Sequence, residues 1–312
     1  MIEQPVFLVG AERSGTTMLR LMLDHHPRIA WLNEFEYAVD LVADNGQTPE
    51  LGNYAKWLRQ HRIFKATGFV IDPSLGYQQL VHSFLEQRRE SRGKPIIGAT
   101  VHRHFDRLID LFPGARFIHL IRDPRDVAPS VIKMGWAGNV YAACTPWVEA
   151  ERVWDSIEKR IEPDRFVQIR YEELLAHPDR ELAKACALMG VEFDEAMLDF
   201  HEHTSYQPPD ASASQRWKKT LKSREVMLVE SRCAEILQRR GYECINEHPS
   251  PPSSLGRVWL AIHNKLGRTG ARIRRYGFGL WLRSLIARRL SPNGAYPRIK
   301  AQMDDVIRRS LQ

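Results

Sequence analysis

The sequence predicts an α/β protein: a parallel sheet flanked by helices, followed by a basic helical C-terminal extension. Three observations predict it. Strand-length runs recur at residues 6–9, 29–32, 94–100, 117–121 and 166–169, with helical patterns between them; such alternation builds parallel sheets with crossover helices. The runs are close to continuously apolar, as in strands covered on both faces. Finally, residues 249–312 carry 13 Lys/Arg against 2 Asp/Glu, a net of +11 in a chain of +7, so residues 1–248 are about −4. The expected organisation is a catalytic domain over 1–248 and a basic extension over 249–312. The mildly acidic body gives no sign of nucleic-acid binding.

The first element is the strand Val6–Val9. Gly10 and the polar turn Ala11-Glu12-Arg13-Ser14-Gly15 follow, then Thr16, Thr17 and the apolar helical run Met18–Leu23. Two glycines let the backbone turn tightly and approach a ligand. The first N–H groups of the helix have no intrahelical partner and suit an anion. The spacing Gly10-x4-Gly15 matches the start of a nucleoside-triphosphate P-loop, and the expected architecture is P-loop NTPase-like. Thr16 stands where that loop has lysine, and the cation moves forward to Arg13. A phosphate-like anion is expected, not a standard ATP site; the alternative is an ordinary strand–turn–helix corner with an exposed arginine.

His25-His26-Pro27 breaks the first helix, and the second strand, Ile29–Leu32, ends at Asn33-Glu34-Phe35-Glu36. Residues 35–91 read as mostly helical, most clearly from Tyr77 to Arg89. The third strand runs to Thr100. His102-Arg103-His104-Phe105 then leads into a helix stopping near Pro113-Gly114. Two histidines near a helix start at this spacing share no face, and no third ligand accompanies them, so no metal is expected.

The second strong stretch is Ala115–Gly138. Its strand Phe117–Ile121 is apolar except for His119, and Arg122 stands at its end. Asp123-Pro124 suits a helix start, as N-cap and first helical residue, with Ser130 two turns in. Arginine offers a rigid fork of donors matched to phosphate oxygens; the alternative is an arginine paired with Asp126. Further on come the helix Trp147–Arg160, the strand Phe166–Ile169 with Arg170-Tyr171-Glu172-Glu173-Leu174, and the helix Pro178–Met189 closed by Gly190. A polar loop over 201–213, then Gln215-Arg216-Trp217-Lys218, precede a helix over 222–240. Ligands of such folds bind beyond the C-terminal ends of the strands, so Arg13, Glu34, Thr100, His102 and Arg122 should converge on one rim.

Arg13-Ser14-Gly15-Thr16-Thr17 with Arg20, Met22-Leu23-Asp24 and His26-Pro27 resembles the 5′-phosphosulfate loop of the sulfotransferases, most closely in the tyrosylprotein and carbohydrate branches. Arg122-Asp-Pro-Arg-Asp with Ser130 resembles the family's 3′-phosphate motif. The resemblance covers roughly residues 5–245. It implies 3′-phosphoadenosine 5′-phosphosulfate (PAPS) as sulfuryl donor, no metal, and a hydroxyl-bearing acceptor. Arg13, Ser14, Gly15, Thr16 and Thr17 would hold the sulfate-bearing end, and Arg122 and Ser130 the 3′-phosphate. Tyr171 would lie near the adenosine, with packing as its alternative role, and Arg216 would reach the nucleotide. Counted without gaps from Arg13, Glu34 falls on the catalytic glutamate of the tyrosylprotein enzymes, with Glu36 a nearby competitor. His102 is the rival base, placed as the catalytic histidine of cytosolic small-molecule sulfotransferases. The lysine preceding that histidine is replaced here, by Thr100.

The expected acceptor is a glycan or glycolipid, with a protein tyrosine or a small metabolite left open. A nucleotide-dependent phosphotransferase is disfavoured by the missing loop lysine, and a non-catalytic module binding adenosine 3′,5′-bisphosphate (PAP) or adapting a membrane by the retained Glu34 and Arg13. The four cysteines have no metal-ligand spacing and read as reduced thiols. No secretory signal or membrane span is read. Eukaryotic carbohydrate and tyrosylprotein sulfotransferases are Golgi membrane proteins, so a bacterial, cytoplasmic relative is expected. After the Pro/Ser-rich linker at 249–254, Leu255–Leu266 and Phe278–Leu290 read as helices mixing Trp and Leu with arginines. Residues 255–290 are expected either to lie on a membrane surface or to pack as a helical hairpin on the body or on a second subunit.

Overall fold

The computed structural model describes residues 2–204, 206–291 and 294–310; position 205 of the predicted 201–213 loop and positions 292–293 and 311–312 of the extension lie outside it. Five strands form one sheet: β1 Val6–Val9, β2 Ile29–Glu34, β3 Ile96–Val101, β4 Arg116–Ile121 and β5 Phe166–Arg170. Their order is β2-β3-β1-β4-β5, and every pairing is parallel. At the centre, Leu8 of β1 lies opposite Thr100 of β3 and Ile118 of β4. The chain runs outward from β1 to β2, returns to β3 beside β1, then crosses to β4 and β5. That reversal opens a crevice beyond the C-terminal ends of the central strands.

Both faces of the sheet are covered, as continuously apolar strands require. Val6, Leu8, Ile118 and Leu120 pack on one face with Leu19, Met22 and Leu23 of the helix Thr16–His25 and with Leu182 and Cys186 of the helix Pro178–Leu188. Phe7 faces the other way, with ring centroids 5.1 Å from Phe112 and 6.1 Å from Phe117. His119, the polar residue of β4, is fully buried. It stacks on Trp154 at 4.4 Å and meets the Glu151 carboxylate at 3.1 Å, which Arg240 also binds at 2.8 Å. A buried imidazole is tolerated here because each ring nitrogen has a partner, Gln168 Oε1 taking the second at 3.3 Å.

Two strands end later than their apolarity predicts. β2 continues through Asn33 to Glu34, and β3 reaches Val101. A register shift after Leu32 sets Glu34 against Thr100, and the Phe35 N–H donates to the Thr100 carbonyl at 2.9 Å. The backbone ladder holds these polar residues in strand geometry.

Packing divides the chain into two units: Met1–Val127, Thr145–Leu221 and Glu235–Glu243 in the first; Ala128–Cys144, Lys222–Ala234 and Cys244–Gln312 in the second. The first holds the whole sheet. The second holds three C-terminal helices, Ser254–Tyr276, Phe278–Leu290 and Ala295–Ser310, the last unforeseen in the sequence. The first of these outruns its predicted end at Leu266, because Gly267 and Gly270 do not stop it; Gly277, at the positive φ of 77°, does. Among the described residues no helix is long and apolar enough to cross a membrane.

Candidate active site

Each strand's C-terminal end delivers one part of the site. In sheet order these are Glu34 from β2, His102 from β3, the loop 10–17 from β1, Arg122 from β4 and Tyr171 from β5. The convergence expected of them on one rim is met, except by Thr100. That residue lies inside β3 and is buried, and its hydroxyl accepts the Trp31 indole N–H at 3.0 Å. Thr100 therefore does not stand at the rim in place of a lysine. The position is occupied by packing, which its sequence neighbours do not reveal.

The loop after β1 has the backbone shape of an anion cradle. Arg13 and Gly15 are left-handed, φ 72° and 97°; for arginine this is uncommon. The helix Thr16–His25 begins with no side-chain cap, so its positive end and first N–H groups are left for a ligand. The Ser14 hydroxyl is fully buried and has no hydrogen-bond partner, a state that calls for an explanation in a folded protein. Thr16 is buried behind the loop and Thr17 is half-buried.

Arg122 and Tyr171 close the cradle. An Arg122 Nη1–H donates to the Arg13 carbonyl at 3.4 Å, and the guanidinium lies 4.4 Å from the centre of the Tyr171 ring. The Arg122 Nε–H is buried with no partner. The Tyr171 ring lies against Gly15 so closely that a Cβ there would sit 2.2 Å from two ring carbons. Burial raises the Tyr171 phenol above its ordinary range, opposed by the charge of Arg122 and, more weakly, Arg216. Tyr171 is thus a packing aromatic of this loop, the second of its two expected roles.

Residues around Asp123 set Arg122 in place. The Trp147 indole N–H donates to the Arg122 carbonyl at 2.9 Å. The Asp123 N–H donates to Glu172 at 3.0 Å, and Glu172 also accepts the Tyr242 hydroxyl at 2.8 Å. Burial raises the Glu172 carboxyl above its ordinary range. Asp123 binds Arg125 at 2.8 Å, and the Arg125 guanidinium lies 3.9 Å over Trp217. The Trp217 N–H donates to Asp126 at 2.8 Å. Asp126 therefore anchors the segment carrying exposed Arg216. The expected alternative of Asp126 as salt-bridge partner of Arg122 is not the contact observed, although Arg122 offsets part of the burial that raises the Asp126 carboxyl. Ser130 lies eight residues beyond Arg122 on the helix Pro124–Lys133, within the second unit, and is half-buried.

The candidate bases differ in exposure. Glu34 is exposed at the end of β2. Glu36 is buried, at 3% exposure; its Oε1 accepts the His102 backbone N–H at 2.9 Å and its Oε2 has no partner. Burial pushes its carboxyl pKa up, partly offset by His102. Glu36 is thus a buried clamp on the His102 backbone, a role signalled in sequence only by its aromatic neighbours Phe35 and Tyr37. His102 is half-buried, with Nδ1 3.1 Å from the Gly10 carbonyl. A carbonyl can only accept, so that contact puts a proton on Nδ1 and turns Nε2 away from it. Strand order sets His102 one strand from the loop and Glu34 two, roughly 10 Å at the usual spacing. Arg20, on the first helix, has its pKa lowered by burial, with Tyr206, Glu34 and Asp24 opposing.

A parallel α/β sheet carries an uncapped helix start, two arginines and an aromatic ring at its switch point, an arrangement suited to an anionic ligand. The profile of the sulfotransferase family matches residues 5–195, and the chain belongs to that family. It is 26% identical to protein-tyrosine sulfotransferase 2 of Gallus gallus over 225 residues, 67% of this chain and 57% of that protein. Similarity to protein-tyrosine sulfotransferase A of Caenorhabditis elegans is 24% over 273 residues, 80% of this chain and 69% of that one. The omega-hydroxy-beta-dihydromenaquinone-9 sulfotransferase of Mycobacterium tuberculosis is 26% identical over 166 residues, 47% and 40% of the two chains. The chain therefore spans between two fifths and about two thirds of these relatives. The fold is shared with the sulfotransferase domain of the curacin biosynthetic pathway, TM-score 0.55 at 19% identity, over 78% of this chain and 99% of that one.

Proposed function

We propose that this protein is a sulfotransferase using PAPS as donor and a hydroxyl group as acceptor. The observation that carries the reading is the interlock of Arg13, Gly15, Tyr171 and Arg122 around an uncapped helix start. The residues fit such a donor: the buried, unpartnered Ser14 hydroxyl and Arg122 Nε–H are donors without acceptors, and an anion offers acceptors. PAPS, when bound, supplies an activated sulfuryl group. Arg13 and the N–H groups of residues 14–17 would hold the negative charge of the sulfate-bearing end, as preorganised donors do in phosphoryl transfer. Arg122 and Ser130 would hold the 3′-phosphate, while Tyr171 and Arg216 would flank the adenosine. Glu34, exposed at the rim, would take the acceptor hydroxyl's proton, with His102 Nε2 as rival. Thr16, not lysine, stands where a P-loop kinase carries its lysine, which disfavours phosphotransfer.

For the acceptor, a lipid-borne hydroxyl, including that of a glycolipid, is the reading preferred here; the mycobacterial relative is named for a hydroxylated menaquinone. Protein tyrosine is the second reading, favoured by the similarity to tyrosylprotein enzymes. Calorimetry tests the donor: PAP should bind more tightly than adenosine 5′-monophosphate, and Arg122→Ala should weaken PAP about 10- to 100-fold, the worth of a charge-assisted hydrogen bond. Equal affinity for the two nucleotides removes the PAPS reading. A screen with labelled PAPS against lipid, glycan and tyrosyl-peptide hydroxyls identifies the acceptor.

A further inference from the structure

We infer that the C-terminal unit carries a docking surface for an anionic lipid bilayer, formed by the outward faces of the helices Ser254–Tyr276 and Phe278–Leu290. This inference does not depend on the sulfotransferase reading. The first helix already has a packed face. Leu260 is buried, its carbonyl accepts from the Asn139 amide at 2.8 Å, and Asn264 Oδ1 accepts the Gly138 N–H at 2.7 Å. Further along the same face, Arg275 donates to the Met134 carbonyl at 2.8 Å. At about 100° per residue, Leu255, Val258, Trp259, Ile262 and Leu266 fall on the opposite side. All five are more than half exposed, Leu255 at 84%. An amphipathic helix needs one apolar face to join its own fold; this one has two.

The next helix repeats the arrangement. Ser284 and Ala287 are its buried residues, while Phe278, Leu282, Leu285 and Ile286 are exposed and lie roughly opposite them; Leu290, at the helix end, is also exposed. Lys265 and Arg272 line one edge of the first apolar stripe, with Arg268 and Arg257 further round the same side; Arg283 and Arg288 flank the second, and Arg289 lies within it. From residue 249 to 303 there is no Asp or Glu. Bulky apolar side chains edged by arginine and lysine, without acidic residues, match a bilayer interface with anionic headgroups.

Charge decides against the other occupants. A second copy laid on this face would set arginines against arginines with no carboxylate between them, and like charges across an interface oppose association. A nucleic acid would meet cations but leave Leu, Ile and Val stripes facing phosphate and water, whereas sequence-independent binders of single strands use aromatic stacking platforms.

The test is co-sedimentation of the full chain with vesicles of phosphatidylcholine alone or mixed with phosphatidylglycerol. The protein should pellet with the mixed vesicles, be released by high salt, and stay in the supernatant with phosphatidylcholine alone. Ile262→Asp combined with Leu266→Asp should abolish pelleting with an unchanged melting curve, since both side chains are exposed. Arg257, Lys265, Arg268 and Arg272, each replaced by Gln, should weaken partitioning about fivefold per charge. The inference is overturned if the wild type remains in the supernatant with the mixed vesicles, or if the aspartate variant pellets as well as the wild type. A salt-sensitive complex with an RNA oligonucleotide in the absence of vesicle binding also overturns it. So does a dimer in sedimentation velocity that the aspartate variant dissolves, again without vesicle binding.

Discussion

Gly15→Ala tests the interlock of the phosphate loop. The new methyl would sit 2.2 Å from two carbons of the Tyr171 ring, and the backbone there has φ 97°. Two penalties follow. Left-handed backbone with a Cβ costs about 1–2 kcal/mol, and forcing a methyl into filled space costs about 1–3 kcal/mol. Gly15→Ala should therefore destabilise by about 2–5 kcal/mol. Only the second penalty comes from the ring. In a Tyr171→Ala background the space is open, and the same substitution should cost about 1–2 kcal/mol, a coupling of about 1–3 kcal/mol between the two positions. Denaturant unfolding of the four proteins measures it. PAP binding by calorimetry should follow the same pattern, because displacing Tyr171 also disturbs the ring that lies 4.4 Å from the Arg122 guanidinium. Stability effects that add within about 0.5 kcal/mol, the limit for independent sites, would refute the proposed interlock.

Other outcomes follow from the same geometry. Glu34→Gln should leave PAP binding intact and lower single-turnover sulfuryl transfer by roughly 10²–10⁴, the usual worth of a general base, whereas His102→Ala should lower it less; the reverse order transfers the role to His102. Glu36→Gln should change stability in a pH-dependent way. Burial raises the folded-state pKa of Glu36 above its unfolded value, so the folded protein holds this proton more tightly and loses stability as pH rises through that interval. The melting temperature of the glutamine variant, relative to wild type, should therefore climb from pH 4 to pH 8, and a flat difference would show that Glu36 is not strained by its charge. Trp217→Ala removes the ring under Arg125 and loosens the segment held by Asp126. It should lower the melting temperature and weaken PAP binding more than Arg216→Ala does, because Arg216 is exposed.

The sequence alone determined the sheet, the loop and its arginines, because these depend on local features. A strand covered on both faces must be apolar throughout, a tight phosphate turn needs Gly10 and Gly15, and Asp123-Pro124 starts a helix whatever surrounds it. Glu34, His102 and Arg122 were legible as rim residues because parallel strands all deliver their C-terminal ends to one side. Tertiary structure decided what depends on burial and partners between distant residues. Glu34 and Glu36 are the same residue type two positions apart; only packing makes one exposed and the other a buried clamp on His102. That Thr100 replaces a lysine was legible in the sequence; that its hydroxyl is engaged by the Trp31 indole, 69 residues away in the chain, was not. Tyr171 gained its meaning from Gly15, which lies on β1's loop across the sheet from β5. In the extension, the apolar and basic residues were visible in sequence. Which apolar residues pack within the unit and which stay exposed was set by helix phase against Asn139 and Gly138, contacts that no local pattern encodes.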